Sequence, residues 1–259
     1  MNRPLLDDLT EGVLTLTLDR PDRRNALSPP LVAALVSTIG AAATREDVRA
    51  IVLTGAGSKF CAGGDLGAGG MAAAGILGRH AAGGDFALLM RTLMESPVPV
   101  VAAVNGDALG GGLGIVAACH LAVADPGARF GTPELKLGLF PMMIGPVLAR
   151  TLGRKTLHEM VLCDRRLDAQ EAAAAGLVNS VSAPGAVVTE AQALAARVAC
   201  RSRAIVGLGM RALSATADQP LGAALEHMNA QLTLNLMTED AAEGISAFLM
   251  RRDPVWKDR

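Results

Sequence analysis

Pro99-Val100-Val101-Ala102-Ala103-Val104-Asn105-Gly106-Asp107-Ala108-Leu109-Gly110-Gly111-Gly112-Leu113-Gly114-Ile115 joins an apolar run to a triple glycine and then to a second apolar run. Val98 to Val104 has the length and the β-branched content of a buried strand. Asn105-Gly106 stops it. Leu113 to Cys119 then opens a helix, and Leu121-Ala122-Val123-Ala124 reads as a further short strand. Strand, glycine loop, helix, strand is α/β patterning. Val98 to Ala124 is also the most apolar part of the chain. Asn105, Asp107, His120 and the glycine cluster interrupt it, so it does not supply the roughly 20 mostly apolar residues of a membrane span.

The same alternation continues outward. Val13-Leu14-Thr15-Leu16-Thr17-Leu18 alternates apolar and polar residues, as a half-buried strand does. A turn over 19–25 follows. Ser28 is placed to cap a helix with Pro29 at its first position, running to about Thr44. Ala50 to Thr54 is a short buried strand, Gly55 to Gly70 a glycine-rich loop, and Met71 to Ser96 mostly helix, loosened early by Gly75, Gly78, Gly83 and Gly84. From Lys155 the chain is almost wholly helical, over 155–163, 168–175, 184–200, 202–217, 220–236 and 239–251. A composition shift near Ser202 separates a core over 1–201 from a helical region over 202–259. There is no fixed-period repeat and no low-complexity linker.

Composition narrows the function. The 259 residues are 51% apolar but only 2% aromatic, so alanine and glycine carry much of the apolarity. Aliphatic and backbone groups rather than rings are expected to line any pocket. The net charge is −1 and the four lysines (Lys59, Lys136, Lys155, Lys257) do not cluster, which argues against a nucleic-acid-binding face. Cys61, Cys119, Cys163 and Cys200 form no CxxC pair and sit in apolar or alanine-rich surroundings. They read as free, buried thiols in a reducing compartment. The first residues lack the long apolar segment of a signal peptide. A cytoplasmic protein with no membrane partner is expected.

Two loops carry the chemistry. Phe60-Cys61-Ala62-Gly63-Gly64-Asp65-Leu66 and Asn105 to Gly112 each follow a buried run and each is glycine-rich. Glycine lets backbone N–H groups come close to a ligand, and helix starts leave N–H groups without partners. Two such loops can aim two donors at one oxygen, as in an oxyanion hole. Glycine clusters after strands also serve phosphate binding or tight packing. Neither loop fits GxGxxG in a dinucleotide setting or GxxxxGK[ST].

In order and spacing, a series of segments resembles the crotonase (enoyl-CoA hydratase/isomerase) superfamily. They are Arg20-Pro21 with Asn25-Ala26-Leu27, Ile51 to Gly55, Phe60 to Leu66, Pro99 to Gly106 with Ala108 to Gly112, and Phe130 to Glu134 with Leu137-Gly138. Ala172 to Val178 and Glu243 to Phe248 complete the series. The resemblance implies a spiral of ββα turns and a C-terminal helical region that trimerises and completes the CoA site. Homotrimers or dimers of trimers would follow. It implies a substrate thioester carbonyl held between the N–H groups of Gly64 and Gly111. The CoA adenine and phosphates would lie near Arg23, Arg24, Ala26, Ala62 and the Asp65-Leu66-Gly67 loop, with Pro133 and Met142 also contacting substrate. Glu134 would be the acid/base. On residue type alone a glutamate is a surface residue, and the motif around it is what points to function. Arg23 and Arg24 equally suit a solvated turn, and Asp65 a turn-stabilising hydrogen bond. No metal is implied, and no cofactor beyond the CoA that the substrate carries.

The chain departs from the two-glutamate pattern at Gly114, which stands where a second glutamate is usual. Pro141-Met142-Met143-Ile144-Gly145 replaces a glycine-rich turn and is expected to make the pocket more apolar, although core filling serves the methionines equally. His120 replaces a usual aspartate, as a packing or surface change. Asp107 is either a turn residue or a compensating group. The segment from Gly67 to Gly84 is expected to line the acyl pocket. Trp256-Lys257 is either part of a CoA site or a frayed end. Three activities fit: an enoyl-CoA hydratase, a Δ3,Δ2-enoyl-CoA isomerase using Glu134 alone, and a catalytically silent acyl-CoA-binding scaffold.

Overall fold

A computed structural model describes residues 3–65, 67 and 75–259. Leu66 and the start of the helix expected from Met71 lie outside the described residues. The chain opens with a hairpin, β1 (Leu5–Thr10) and β2 (Val13–Leu18). α1 (Pro29–Ala42), β3 (Ala50–Gly55), α2 (Ile76–Met94), β4 (Val100–Val104), β5 (Ala108–Leu109), α3 (Gly111–Ala118), β6 (Leu121–Ala124) and β7 (Arg129–Gly131) follow. Then come α4 (Gly145–Thr151), α5 (Arg154–Leu162), β8 (Leu167–Asp168), α6 (Ala169–Ala174), β9 (Ser180–Val181), α7 (Val187–Ala199), α8 (Arg203–Thr216), α9 (Leu221–Leu236) and α10 (Glu239–Met250).

The strands form two sheets. One runs β1-β2-β3-β4-β6-β9, antiparallel at the hairpin and parallel from β2 onward. The other runs β5-β7-β8 and is extended by isolated bridges between Cys61 and Ala108 and between Leu27 and Gly64. Successive turns of chain therefore add one strand to the large sheet, one short strand to the small sheet, and a helix. This is the expected ββα spiral. β3 and β4 are buried throughout, which is why they read as unbroken apolar runs.

One core lies between the large sheet and the spiral helices, with Leu14, Leu16, Leu31, Leu35, Ile51, Leu53 and Phe130 fully buried. Each such Leu or Ile contributes roughly 1.5–3 kcal/mol by burial. The other sheet face meets α7. Its Ala191, Ala195 and Ala199 recur every four residues and let the helix sit close on Val52, Val101 and Val123.

Local chemistry explains the helix starts. Asp168 and Glu171 close a capping box on α6. The Ser202 hydroxyl accepts from the Ile205 N–H at the start of α8, and the Thr238 hydroxyl accepts from the Ala241 N–H at α10. Ser28 occupies the N-cap of α1, but its side chain makes no capping bond, and Pro29 sets the turn. The C-terminus is tied down rather than frayed. The Trp256 Nε1–H donates to the Cys200 carbonyl at 2.9 Å. Buried Asp240 accepts from the Lys257 and Asp258 N–H groups. Among the described residues no helix is long and apolar enough to cross a membrane.

Candidate active site

A cleft of about 620 Å³ opens where the two glycine loops meet. That is an ordinary size for a small-molecule site. Its floor is Ala62 to Asp65 from one loop and Gly110-Gly111 from the other. Its walls are Leu27, Phe86 on α2, Pro133-Glu134 and the Leu139–Ile144 turn.

Hydrogen bonds fix both loops. The Leu27 N–H donates to the Gly63 carbonyl at 2.8 Å, and the Asp65 N–H to the Leu27 carbonyl at 3.1 Å. These bonds flank Gly64 and leave its own N–H unused; among the described residues it has no acceptor. The Leu109 N–H donates to the Cys61 carbonyl at 2.9 Å, binding one loop to the other. Gly111 is the first residue of α3, so its N–H has no acceptor within the helix, and none exists among the described residues. Two free backbone donors on joined loops thus border one cleft.

Two asparagines, one buried and one half-buried, and an ion pair brace this floor. Asn25, fully buried in a left-handed conformation (φ 55°), donates from Nδ2 to the carbonyls of Ala56 (2.9 Å) and Lys59 (2.7 Å). Its Oδ1 accepts from the Arg20 N–H. Asn105 does the same one strand along. Its Nδ2 donates to the Gly55 and Gly57 carbonyls, and its Oδ1 accepts from the Gly55 N–H. The Arg20 guanidinium pairs with Asp65 at 2.8 Å and also bonds the Ala26 carbonyl. Asp65 accepts from the Gly67 N–H at 3.0 Å as well. The Arg20 bond, aided by the Gly67 amide, holds the Asp65 carboxyl below its ordinary pKa. Asp65 is therefore both a turn residue and the anchor of its loop. Asp107 is paired with Lys59 at 2.7 Å.

Glu134 sits in a 3-10 turn over Pro133–Leu137. The turn is held by the Gly110 N–H donating to the Gly131 carbonyl, the buried Thr132 hydroxyl donating to the Met160 carbonyl, and a Lys136–Asp164 ion pair. Its carboxylate lies over Gly110. A Cβ on that glycine would stand 2.9 Å from Glu134 Oε1, and its φ of +50° also favours glycine. Oε2 is buried without a hydrogen-bond partner. Burial pushes the Glu134 pKa above its ordinary value, partly offset by its own N–H. A half-buried carboxylate with one buried, unpartnered oxygen, in the cleft that two free donors border, suits proton transfer, because a raised pKa brings the base nearer to neutral pH.

Of the residues singled out from sequence, Ala62, Gly64, Asp65, Gly111, Pro133, Glu134 and Met142 border this cleft. Arg23, Arg24, Ala26 and Gly67 do not. The two arginines are exposed on the neighbouring turn, and Arg23 Nη1 would lie 3.9 Å from a Cβ on Gly67. Leu66 is outside the described residues. Met142 and Met143 are exposed at the cleft rather than packed in a core. Gly78, Ala82 and Gly83 of α2 also border it. Sequence reasoning quoted Arg20 and Asn25 only as motif residues, placed Ile144 in the turn expected to make the pocket more apolar without giving it a neighbour, and did not single out Phe86. A lone Asn between the charged turn over 19–24 and the apolar Ala26-Leu27 is the signal for Asn25, whereas Arg20 stands among three arginines of that turn and carries no signal of its own. His120 packs inside, its Nδ1 accepting from the Val100 N–H at 3.0 Å. Among the described residues no group of His, Cys, Asp and Glu is arranged to hold a metal.

Residues 8–259 match the family profile described as enoyl-CoA hydratase/isomerase. The chain is 38% identical over 258 residues to the 2,3-dehydroadipyl-CoA hydratase of Escherichia coli (strain K12), covering 96% of each. It is 34% identical over 257 residues to the Homo sapiens protein named enoyl-CoA hydratase domain-containing protein 3, mitochondrial, covering 98% of this chain and 84% of that one. An enoyl-CoA hydratase crystal structure from Mycobacterium smegmatis superposes with a TM-score of 0.94 at 36% identity, over 98% of this chain and 99% of that one. With sequence, spiral fold and loop order all in agreement, the chain belongs to the enoyl-CoA hydratase/isomerase family, within the crotonase superfamily.

Proposed function

We propose that the protein is an enoyl-CoA hydratase, reversibly adding water across C2=C3 of a 2-enoyl-CoA. The observation that carries this reading is the half-buried Glu134 carboxylate, its Oε2 buried and unpartnered, in the cleft that the free N–H groups of Gly64 and Gly111 border. The two N–H groups hold the thioester oxygen, where negative charge collects in the enolate. Losing one such donor typically costs roughly 3–4 kcal/mol in the barrier. Water loses a proton to Glu134 as its oxygen bonds to C3, and the π electrons move toward the thioester oxygen. Glu134 then returns the proton to C2, and the enolate collapses to the 3-hydroxyacyl product.

Exposed Arg23 and Arg24, with Ala26, Ala62 and the Asp65–Gly67 loop, take the CoA adenine and phosphates. CoA arrives as part of the substrate, and the reaction needs no resident cofactor and no metal. The names of the relatives, hydratases among them, support hydration. The exposed Leu221, Leu225 and Leu232 of α9 and Phe248 and Leu249 of α10 support a homotrimer or dimer of trimers, measurable by light scattering. The cysteines are free but not all buried as expected, since Cys163 and Cys200 lie exposed at helix C-termini; free thiols support a cytoplasmic location, measurable by cell fractionation.

A Δ3,Δ2-enoyl-CoA isomerase is the second reading. The observation favouring it is that Ile144, not a carboxylate, fills the space over Gly114. Shuttling a proton between C2 and C4 needs one carboxylate and no water. Incubation with 2-enoyl-CoA in H₂¹⁸O decides. Labelled 3-hydroxyacyl-CoA is the expected product. Turnover of 3-enoyl-CoA with no label incorporated anywhere would replace hydration by isomerisation.

A further inference from the structure

Gly110 and Gly114 are four residues apart at the start of α3, and the Gly114 N–H donates to the Gly110 carbonyl at 3.1 Å. They therefore share one helix face, about 6 Å apart along the axis. Each clears room for a different neighbour. Gly110 makes way for the Glu134 carboxylate. Gly114 makes way for Ile144: a Cβ there would stand 2.4 Å from Ile144 Cγ2 and 3.1 Å from Ile144 Cβ. Ile144 is only 3% exposed, yet it borders the cleft. Met90 Sδ lies 3.5 Å from the same point.

We propose that Ile144 is a specificity-determining residue: by filling the space beside Glu134, it sets how much water reaches the acyl chain and thus the share of hydration against internal proton transfer. The inference rests on the Glu134 chemistry proposed above. The rest of the cleft leaves this task to Ile144. Asp65 is engaged with Arg20, Asp85 is exposed on α2, and neither is among the atoms nearest a Cβ on Gly114. Phe86, Phe140 and Met143, also bordering the cleft, are apolar and hold no water by hydrogen bonds. A water needs both volume and polar partners to stay. Trimming Ile144 supplies volume next to the one carboxylate that offers a partner.

The test uses Ile144→Ala and Ile144→Val in the intact protein, with 3-hexenoyl-CoA in H₂¹⁸O. Initial rates of 2-enoyl and labelled 3-hydroxyacyl products give the hydration share. Deuterium entry at C2 in D₂O reads the underlying proton transfer separately. Removing three side-chain carbons is expected to raise the ratio of hydrated to isomerised product about tenfold, with C2 exchange within about threefold of wild type. Ile144→Val, which changes the packing least, is expected to raise it by about two- to threefold and decides the matter if the alanine variant does not fold. An unchanged ratio with C2 exchange retained overturns the role of Ile144. Absence of C2 exchange in the wild type overturns the Glu134 reading and this inference with it.

Discussion

Replacing Glu134 with Gln keeps the size and shape of the side chain and removes the proton-transfer group. No neighbour is placed to take over. Of the other carboxylates bordering the cleft, Asp65 is bound to Arg20 and Asp85 is exposed on α2. The full acid–base factor should therefore be lost, about 10²–10⁴-fold in kcat, or roughly 3–5 kcal/mol. KM should change little, because the Gly64 and Gly111 donors are backbone groups that the substitution leaves in place. Stability should move the other way. Burial raises the Glu134 pKa in the folded state above its ordinary value of 4.5, so the folded protein binds this proton more tightly than the unfolded chain does. Above the ordinary value the charged form then works against folding, and this penalty grows as pH rises through the folded pKa. Glu134→Gln removes it, and at pH 7 the thermal midpoint should hold or rise. The acid limb of the wild-type kcat profile should likewise fall above pH 4.5. Steady-state hydration kinetics and a thermal melt at pH 7 read both effects. Activity within tenfold of wild type, or a loss of activity that tracks a falling midpoint, would refute the assignment.

Other perturbations separate the brace from the chemistry. Asn25→Ala deletes buried bonds to Arg20, Ala56 and Lys59 at a left-handed backbone position, and should cost about 2–4 kcal/mol in urea unfolding. Asp65→Asn frees Arg20 and slackens the loop that carries Gly64, so kcat/KM should drop about ten- to a hundredfold. Because the Asp65 pKa is depressed in the folded state, its stabilising effect holds above the ordinary carboxylate range and is lost as pH falls through the folded value, and acid melts of wild type and variant should converge there. Burial lowers the His120 pKa, and its buried Nε2 has no hydrogen-bond partner. Wild type should therefore lose stability as pH falls below about 6.5, the unfolded value, and His120→Asn should flatten that slope in pH-dependent melts.

Much of the fold was legible because period and length carried it. β2, β3 and β4 and the helices from α5 onward sit within a few residues of where patterning places them. β1 was not legible: only Leu5 of Leu5–Thr10 is buried, so an edge strand held by its hairpin partner leaves no alternation to read. β5, β8 and β9 are two residues each, too short for any periodicity, and exist because the spiral brings their partners alongside. In the site, the glycine loops were legible since their chemistry is local. The wall was not. Which of Met142, Met143 and Ile144 would face Gly114 depends on how the turn after Glu134 folds back onto α3, a long-range packing outcome. The empty position at Gly114 was visible in sequence; its occupation by Ile144 was not.

Deuterium at C2 is the most direct readout of a thioester enolate served by Glu134. A 3-enoyl-CoA incubated with the wild-type protein in D₂O should gain deuterium at C2, seen by mass spectrometry or proton NMR, and Glu134→Gln should gain essentially none while still binding the CoA ester. No deuterium at C2 with wild type, despite measurable binding, would leave an acyl-CoA-binding scaffold and contradict the enzyme described here.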